Sequence, residues 1–338
     1  MLSRKEKILE LVIEDYINTA VPISSRAISR KLRKALSPAT VRSVMADLED
    51  AQLITHPHTS AGRIPTDKGY RHYVDTLMQT RLLTEQEKKR VSDTFKNKFE
   101  EIDNVIVKTT RLLSSIAEEV GLVTFPILEK GAFRHIELVE LDSNRILAVL
   151  VTNSGLIKNM VVEFDEPLKK GDLGKIANFL NTRFDGVSLH EIKKAITQQL
   201  LLERDSFFYI LDETKCVIDL MLNSIKGKRV YLEGASRIVM QPEFNNIDKV
   251  EGLLAALEDP DILDSIAQKS LDNDGVGVYI GEEIGIEPLN DCSLITCNYK
   301  IKKDRLGLLG IIGPKRMQYA KMVSLVDYMA NILSEMLE

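Results

Sequence analysis

The first eighty residues carry apolar side chains at helical spacing in three short segments. The spacing predicts an amphipathic helix over residues 5–17 and a second helix, capped by Ser24 or Ser25, over residues 26–35. A third helix is expected after Ser37, because Pro38 then falls in the first turn, where its missing N–H costs nothing. The pattern therefore predicts a compact unit of three helices.

The predicted third helix has an apolar face and a polar face. Val41, Val44, Met45 and Leu48 form its inner stripe. The outward face combines small side chains, hydrogen-bond donors and one arginine, which suits a groove lined with base edges. The candidate DNA contacts on the second and third helices are Ser25, Arg26, Ser37, Ala39, Thr40, Arg42 and Ser43. Arg42 is the first candidate for a contact to a base.

A basic loop rich in turn-forming residues follows the third helix, and residues 57–73 read PHTSAGRIPTDKGYRHY. A short apolar strand precedes the loop, Ile64 starts the return strand, and Thr66 offers an N-cap for a helix over 68–77. The arrangement is typical of a wing, which reaches a phosphate or the minor groove beside a helix in the major groove. The candidate contacts are His58, Thr59, Ser60, Gly62, Arg63, Lys68 and Arg71.

Charge is distributed unevenly along the chain. The net charge is −5, yet residues 21–46 hold six basic side chains and no acidic one. Residues 1–80 carry 12 Lys and Arg against 9 Asp and Glu, and the remainder carries 33 against 41. A basic head on an acidic body is expected to confine DNA contact to one end of the molecule. An interaction scaffold whose winged helix binds protein stays open as an alternative from another class.

The pattern changes after residue 84. Thr84 and Glu87 form a capping box, and apolar residues then recur with 4-3-4-3 spacing as far as Val120. This spacing permits a coiled-coil seam or packing onto a sheet. Additional apolar residues at Val105 and Leu112 widen the stripe and favour packing within the helix's own domain.

Strand-like runs occur in two groups on either side of a helical region. The first group, over 135–141, 145–152 and 157–164, predicts an antiparallel meander. Helical patterns dominate from 172 to 222. Strands return at 276–280, 292–301 and 306–312, and a helix over 317–337 closes the chain. We interpret this order as one sheet that is split by a helical insertion.

Composition and motifs exclude several classes of protein. With 44% hydrophobic and 28% charged residues the chain is expected to be globular and multi-domain. No apolar run approaches the roughly 20 residues of a membrane helix and no signal-peptide core begins the chain, so we expect a cytoplasmic protein. The glycine-rich stretch 275–281 reads as the entry and exit of a strand and not as a nucleotide loop. We expect no catalytic constellation, cofactor or metal, and the histidines near residue 58 are expected to bond backbone or phosphate.

Three cysteines, Cys216, Cys292 and Cys297, are interpreted as reduced packing residues. Cys292 and Cys297 are five positions apart in a predicted strand, so they are expected on opposite faces of the sheet.

Two separated motifs resemble one bacterial family. SPATVRSVMADLE followed by PHTSAGRIPTDKGYRHYVD, and IGPKRMQY at residues 312–319, resemble the heat-inducible transcription repressor HrcA family. The resemblance implies an α+β multi-domain fold with a winged helix-turn-helix, a GAF-like α/β domain with an antiparallel sheet, and an inserted, mainly helical dimerising domain. The expected boundaries are 1–80 for the winged helix, 84–165 and 263–338 for the two parts of the GAF-like domain, and 166–262 for the insertion.

The same resemblance implies a function. A homodimer is expected to bind an inverted-repeat operator of the CIRCE type and to repress chaperonin and chaperone operons until heat inactivates it. A GroEL-type chaperonin is the implied modulator, and no enzymatic activity or membrane association is expected. The alternative is a metabolite-sensing winged-helix repressor whose ligand lies against residues 292–312 of the GAF-like domain.

Overall fold

The computed structural model describes residues 3–33, 35–57, 61–79, 81–95, 102–124, 132–153, 157–164, 172–200, 207–225, 230–271, 275–301 and 304–336. Within these residues, helices and antiparallel sheets combine in a mixed α+β architecture. None of the helices that these ranges contain is both long enough and apolar enough to cross a bilayer.

The N-terminal part, called the head here, comprises residues 3–79. Its helices are α1 (Arg4–Thr19), α2 (Ser25–Lys31) and α3 (Pro38–Asp50). Ser24 caps α2 and Ser37 caps α3, each by accepting a hydrogen bond from a backbone N–H. Helix α2 ends before the predicted residue 35, because the chain turns at Arg33 with a left-handed φ of 50°.

A small hairpin completes the head. Strand β1 (Ile54–Thr55) pairs antiparallel with β2 (Ile64–Pro65), in agreement with the predicted return strand. Thr66 caps helix α4 (Asp67–His72), which continues as one π-helical stretch, Tyr73–Leu77. Tyr70 and Leu77 are buried and hold this helix in the head's core.

Two helices and one strand lead out of the head: α5 (Glu85–Thr94), α6 (Ile102–Ala117) and β3 (Val120–Thr124). Helix α5 begins at the predicted capping box of Thr84 and Glu87. Helix α6 packs on a sheet, as favoured from its wide apolar stripe, and Ile106 lies in the core beneath it. The apolar repeat does not continue as helix to Val120, because Glu118 takes a left-handed φ of 62° and a strand follows.

A separate unit, called the inserted unit here, follows β3. It consists of β4 (Phe133–Glu140), β5 (Arg145–Thr152), β6 (Ile157–Glu163), α7 (Asp172–Arg183), α8 (Leu189–Leu200) and α9 (Phe207–Ile225). Its strands form the predicted meander in the order β4-β5-β6. The expectation that this meander shares one sheet with the late strands is wrong. Its three strands form their own sheet and share a core with the three helices, around Phe133 and Leu180.

The remaining elements form the body together with α6 and β3. They are β7 (Val230–Glu233), α10 (Ala235–Val239), α11 (Ile247–Glu258), α12 (Pro260–Leu271), β8 (Val276–Ile280), β9 (Cys292–Ile301), β10 (Asp304–Pro314) and α13 (Tyr319–Met336). The body sheet is antiparallel in the order β7-β3-β10-β9-β8. Cys297 faces the core shared with α6, α13 and the head, whereas Cys292 faces the core under α11 and α12. The opposite orientation predicted for the two cysteines is confirmed, and both are buried and outside any disulfide. The packing role predicted for Cys216 is wrong, because its side chain is exposed.

Candidate nucleic-acid interface

Helix α3 presents its polar side outward, as its pattern predicts. Val41, Met45 and Leu48 are buried in the head's core, and Val44 is half-buried beside them. The residues on the other side are exposed, except for the half-buried Thr40: Ala39, Thr40, Arg42, Ser43 and Ala46. The helix therefore offers a row of small and donor side chains to a partner outside the head.

The start of α3 is held by its cap. Ser37 Oγ accepts a hydrogen bond from the Thr40 backbone N–H at 3.1 Å and lies 2.8 Å from Thr40 Oγ1. Ser37 and the Thr40 hydroxyl are thus coupled at the N-terminus of the helix. The positive end of the helix dipole makes this end favourable for an anion.

Helix α2 is fixed against its neighbours on both sides. Ser29 Oγ donates to the Leu36 carbonyl at 2.7 Å, which ties α2 to the turn before α3. Lys31 forms an ion pair with Asp15 of α1. The candidate Ser25 is half-buried, and Arg26 is exposed. Exposed basic side chains lie on α2, on the turn and on α3: Arg26, Arg30, Arg33 and Arg42.

The segment before α2 joins the hairpin as a third extended piece. Ile23 and Arg63 exchange both backbone hydrogen bonds, at 2.9 and 2.8 Å. Gly62 lies so close to this segment that a Cβ there would be 2.6 Å from the Ile23 carbonyl oxygen. Gly62 is therefore required by the close approach of two backbones. His58, Thr59 and Ser60 lie outside the described residues.

Glu49, in the last turn of α3, binds the residue after β1 and the residue before β2. Arg63 Nη2 donates to Glu49 Oε2 at 2.7 Å, and His56 Nδ1 hydrogen-bonds to Glu49 Oε1. Desolvation opposes ionisation of Glu49, but the His56 hydrogen bond and the Arg63 charge outweigh it and lower the pKa of the carboxyl group. Sequence reasoning missed Glu49. An acidic residue at a helix end, followed by a His and an Arg that flank the next two strands, is the signal that could have identified it.

The candidates on α4 differ in their surroundings. Lys68 is exposed. Arg71 is turned toward the body, where its guanidinium donates to Glu283 and to the Val278 carbonyl, and also to Asp75 on its own helix. Hydrogen bonding to Glu283 raises the pKa of Arg71 above its already high ordinary value. The structure therefore places Lys68 with the solvent-facing groups and Arg71 in a contact between head and body.

Metal chemistry has no local support in the parts of the chain that the structure describes. These parts contain no group of three or more His, Cys, Asp or Glu side chains arranged to hold a metal ion. Gly275 and Gly281 both take positive φ and flank β8, so the glycine-rich stretch is the entry and exit of a strand, as predicted.

Comparisons with known proteins identify close relatives over the whole length. The family model described as "HrcA protein C terminal domain" matches residues 103–323. The heat-inducible transcription repressor HrcA of Geobacter sulfurreducens is 38% identical over 335 residues, which cover 99% of this chain and 98% of that protein. The HrcA of Desulforamulus reducens is 36% identical over 338 residues, covering 100% and 97%.

One solved structure has a similar fold. A crystal structure described as that of a hypothetical protein covers 100% of this chain and 98% of its own, with a TM-score of 0.68 at 22% identity. This likeness extends to the arrangement of the elements and shows the fold alone.

Proposed function

The chain belongs to the HrcA family of heat-inducible transcription repressors, and we propose that it represses chaperonin and chaperone operons by binding a CIRCE-type inverted-repeat operator as a homodimer. Members of this family are transcription repressors and not enzymes. The observation that carries the proposal is the exposed polar face of α3, mounted beside a basic helix and a hairpin.

In the proposed complex the head acts as a winged helix, with α3 in the major groove. Arg42, Thr40 and Ser43 contact base edges, because a bidentate arginine and short hydroxyls match the donor and acceptor pattern of that groove. The hairpin is the wing. The remaining candidates lie on α2, at the start of α3, and on or directly behind the wing, and they contact phosphates or the minor groove. They are Ser25, Arg26, Ser37, Ala39, His58, Thr59, Ser60, Gly62, Arg63 and Lys68.

We propose that the body is the GAF-like domain and that the inserted unit, between β3 and β7, is the dimerising domain. Support for the insertion comes from the sheet order, because β3 and β7 are neighbours although residues 132–225 lie between them in sequence. This division differs from the sequence-based boundaries, which assigned the meander to the GAF-like domain.

The outer face of the meander supports dimerisation through this unit. Val139 pairs with Leu147 across β4 and β5, and Leu147 pairs with Val161 across β5 and β6. Val139 and Val161 are 45% and 53% exposed, and Leu141 continues the apolar surface with 51% exposed. A row of exposed aliphatic side chains across a sheet favours burial against another protein surface. We propose a second copy of this chain as that surface.

Regulation is proposed from the family. Heat inactivates the repressor, and a GroEL-type chaperonin restores its active form. The relatives' name, heat-inducible transcription repressor, supports the response to heat. The chaperonin is proposed only because the family resemblance implies it.

A fluorescence-anisotropy titration tests the proposal. The probes are a labelled duplex with the inverted repeat from upstream of a chaperonin operon and a scrambled duplex of equal length. Both are titrated at two salt concentrations, with and without chaperonin. We expect a preference for the operator that survives the higher salt, since base contacts, unlike phosphate contacts, distinguish the sequences. Equal binding to both duplexes with a steep salt dependence would reject a sequence-specific repressor and would leave the ligand-dependent alternative.

A further inference from the structure

Helix α4, directly behind the proposed wing, is bound to the body by two ion pairs. Lys315 Nζ donates to Asp67 Oδ1 at 2.6 Å. Arg71 Nε donates to Glu283 Oε1 at 2.9 Å, and Arg71 Nη2 donates to Glu283 Oε2. The two pairs lie one helical turn apart, and they join one helix of the head to the loops after β8 and β10.

The body is shaped to receive Asp67. Gly281, at the end of β8, has a φ of +55°, and a Cβ at this position would lie 2.0 Å from Asp67 Oδ2. A side chain at this position would have to displace the carboxylate. The Asp67 carboxylate therefore lies directly against the backbone of the body at Gly281, in addition to its ion pair with Lys315.

Arg71 is satisfied almost completely within the protein. A guanidinium has five N–H donors, and those of Arg71 reach both Glu283 oxygens, the Val278 carbonyl at 2.6 Å and Asp75 Oδ1 at 3.2 Å. Glu283 is itself fixed, because its Oε2 accepts from the Ile280 backbone N–H at 2.9 Å. Because the Arg71–Glu283 pair is bidentate and Glu283 is fixed, the pair sets the orientation of α4 on the body as well as its distance.

Apolar contact continues the junction between the two pairs. The rings of Tyr70 on α4 and Tyr319 at the start of α13 lie 5.8 Å apart between centroids, and both side chains are buried. Tyr319 is anchored in the body, since its hydroxyl donates to the Lys315 carbonyl at 2.6 Å. The junction therefore combines a buried aromatic contact with a directed ion pair on each side of it.

We propose that Asp67 and Arg71 are positioning residues of the repressor, which lock the winged helix to the body and so fix the separation and orientation of the two recognition helices in the dimer. This inference rests on the proposed binding of a dimer to an inverted repeat. Two heads held at the spacing of two half-sites bind the second half-site intramolecularly, and this advantage decreases when the heads are free to rotate. Arg71, a predicted phosphate contact, then acts on DNA only through the orientation of α3.

The test compares a duplex carrying the full inverted repeat with a duplex in which one half-site is scrambled. The variants are Glu283→Gln and Arg71→Lys, and Glu282→Gln is the matched control on the same exposed turn. Lysine keeps the positive charge for a phosphate but cannot make the bidentate contact and reach the Val278 carbonyl together. We expect both variants to bind the single half-site with the affinity of the wild type. Their preference for the full repeat over the half-site should fall about tenfold, from the roughly 10²–10⁴-fold that bivalency supplies.

Unchanged half-site binding shows that the head is folded, and sedimentation velocity confirms that each variant is still a dimer. The inference is overturned if Glu283→Gln and Arg71→Lys keep the full-site preference of the wild type. It is also overturned if Arg71→Gln lowers half-site affinity and the salt slope by about one ion while Arg71→Lys restores both, since Arg71 would then contact phosphate. A wild type that does not prefer two half-sites over one would reject dimeric operator binding itself, and with it this inference.

Discussion

Glu49 Oε2 lies 2.7 Å from Arg63 Nη2, so the last turn of α3 is bound directly to the residue before β2. His56, the residue after β1, bonds the other carboxylate oxygen. One side chain thus holds both sides of the hairpin loop against the helix. Because the proposed recognition helix and wing contact DNA together, we infer that Glu49 sets the angle between them.

Glu49→Gln is expected to weaken operator binding by several-fold, since a neutral amide holds Arg63 less firmly and the wing gains freedom. The free energy of unfolding is expected to change by only about 0–1 kcal/mol, because pairs exposed to this extent contribute little to stability. Anisotropy titration measures the first quantity and urea unfolding the second. Asp50→Asn, at the neighbouring exposed position, is the matched control. An operator affinity that stays equal to the control's would show that the wing is oriented without Glu49.

The outer face of the meander provides a prediction on assembly. Val161→Asp and Val139→Asp are each expected to shift the protein from dimer toward monomer, because the proposed interface would have to bury a charge without a partner. Both positions are about half exposed in the single chain, so the fold should tolerate the change. Sedimentation velocity measures the shift, with Glu137→Gln on the same face as the control. An undiminished dimer would exclude this face from the interface.

Local signals in the sequence were sufficient for much of the fold. The caps at Ser37, Thr66 and Thr84 depend on residues within three or four positions, and the structure confirms them. The sequence leaves the cap of α2 open between Ser24 and Ser25, and in the structure it is Ser24. The boundaries of β9, Cys292–Ile301, also agree with the predicted strand. The polar face of α3 could also be predicted, because the helical spacing of its apolar residues is visible within the helix itself.

What the sequence did not reveal depends on contacts between distant residues. Strand β3 was missed because Val120 continues the apolar repeat of α6, and a buried strand and a buried helix look alike over five residues. The separate sheet of the inserted unit depends on which strands pair, and no local pattern encodes that. The partners of Arg71 and Asp67 are 212 and 248 positions away in the sequence, so their role in the junction was not predictable.

Glu119 should make stability depend on pH. It lies just before β3 and is packed so closely on Gly313 that a Cβ at residue 313 would be 2.8 Å from its Cδ. Its Oε2 is buried and has no hydrogen-bond partner among the described residues. Burial raises the pKa of Glu119 to about 8, from 4.5. The charged side chains that act on it are Arg316 and Arg237, which lower the pKa, and Glu243 and Glu118, which raise it.

Between about pH 4.5 and pH 8, Glu119 is therefore protonated in the folded state and ionised in the unfolded state. Stability should fall as pH rises through this window, by at most about 1.4 kcal/mol per pH unit, and should level off above it. Urea unfolding at several pH values measures the slope. We expect Glu119→Gln, which stays neutral, to flatten the profile. Glu118→Gln, at the exposed neighbour, removes a charge that raises the pKa of Glu119, so it should keep the slope and move the upper end of the window to lower pH. A wild-type profile as flat as that of Glu119→Gln would mean that Glu119 is ionised in the folded protein.

Arg42 provides the sharpest test of how the repressor reads DNA. Its side chain is exposed on the outward face of α3, one turn beyond the Ser37 cap. If Arg42 makes a bidentate contact to guanine, Arg42→Ala should cost about 1–3 kcal/mol of binding free energy and relax specificity at one base position. Titration against a panel of operators, each with one base pair replaced, measures this. Arg30→Ala, an exposed arginine on α2, is the matched control and should weaken binding to every duplex equally, if at all. A uniform loss for Arg42→Ala, with a salt slope reduced by about one, would assign Arg42 to a phosphate instead.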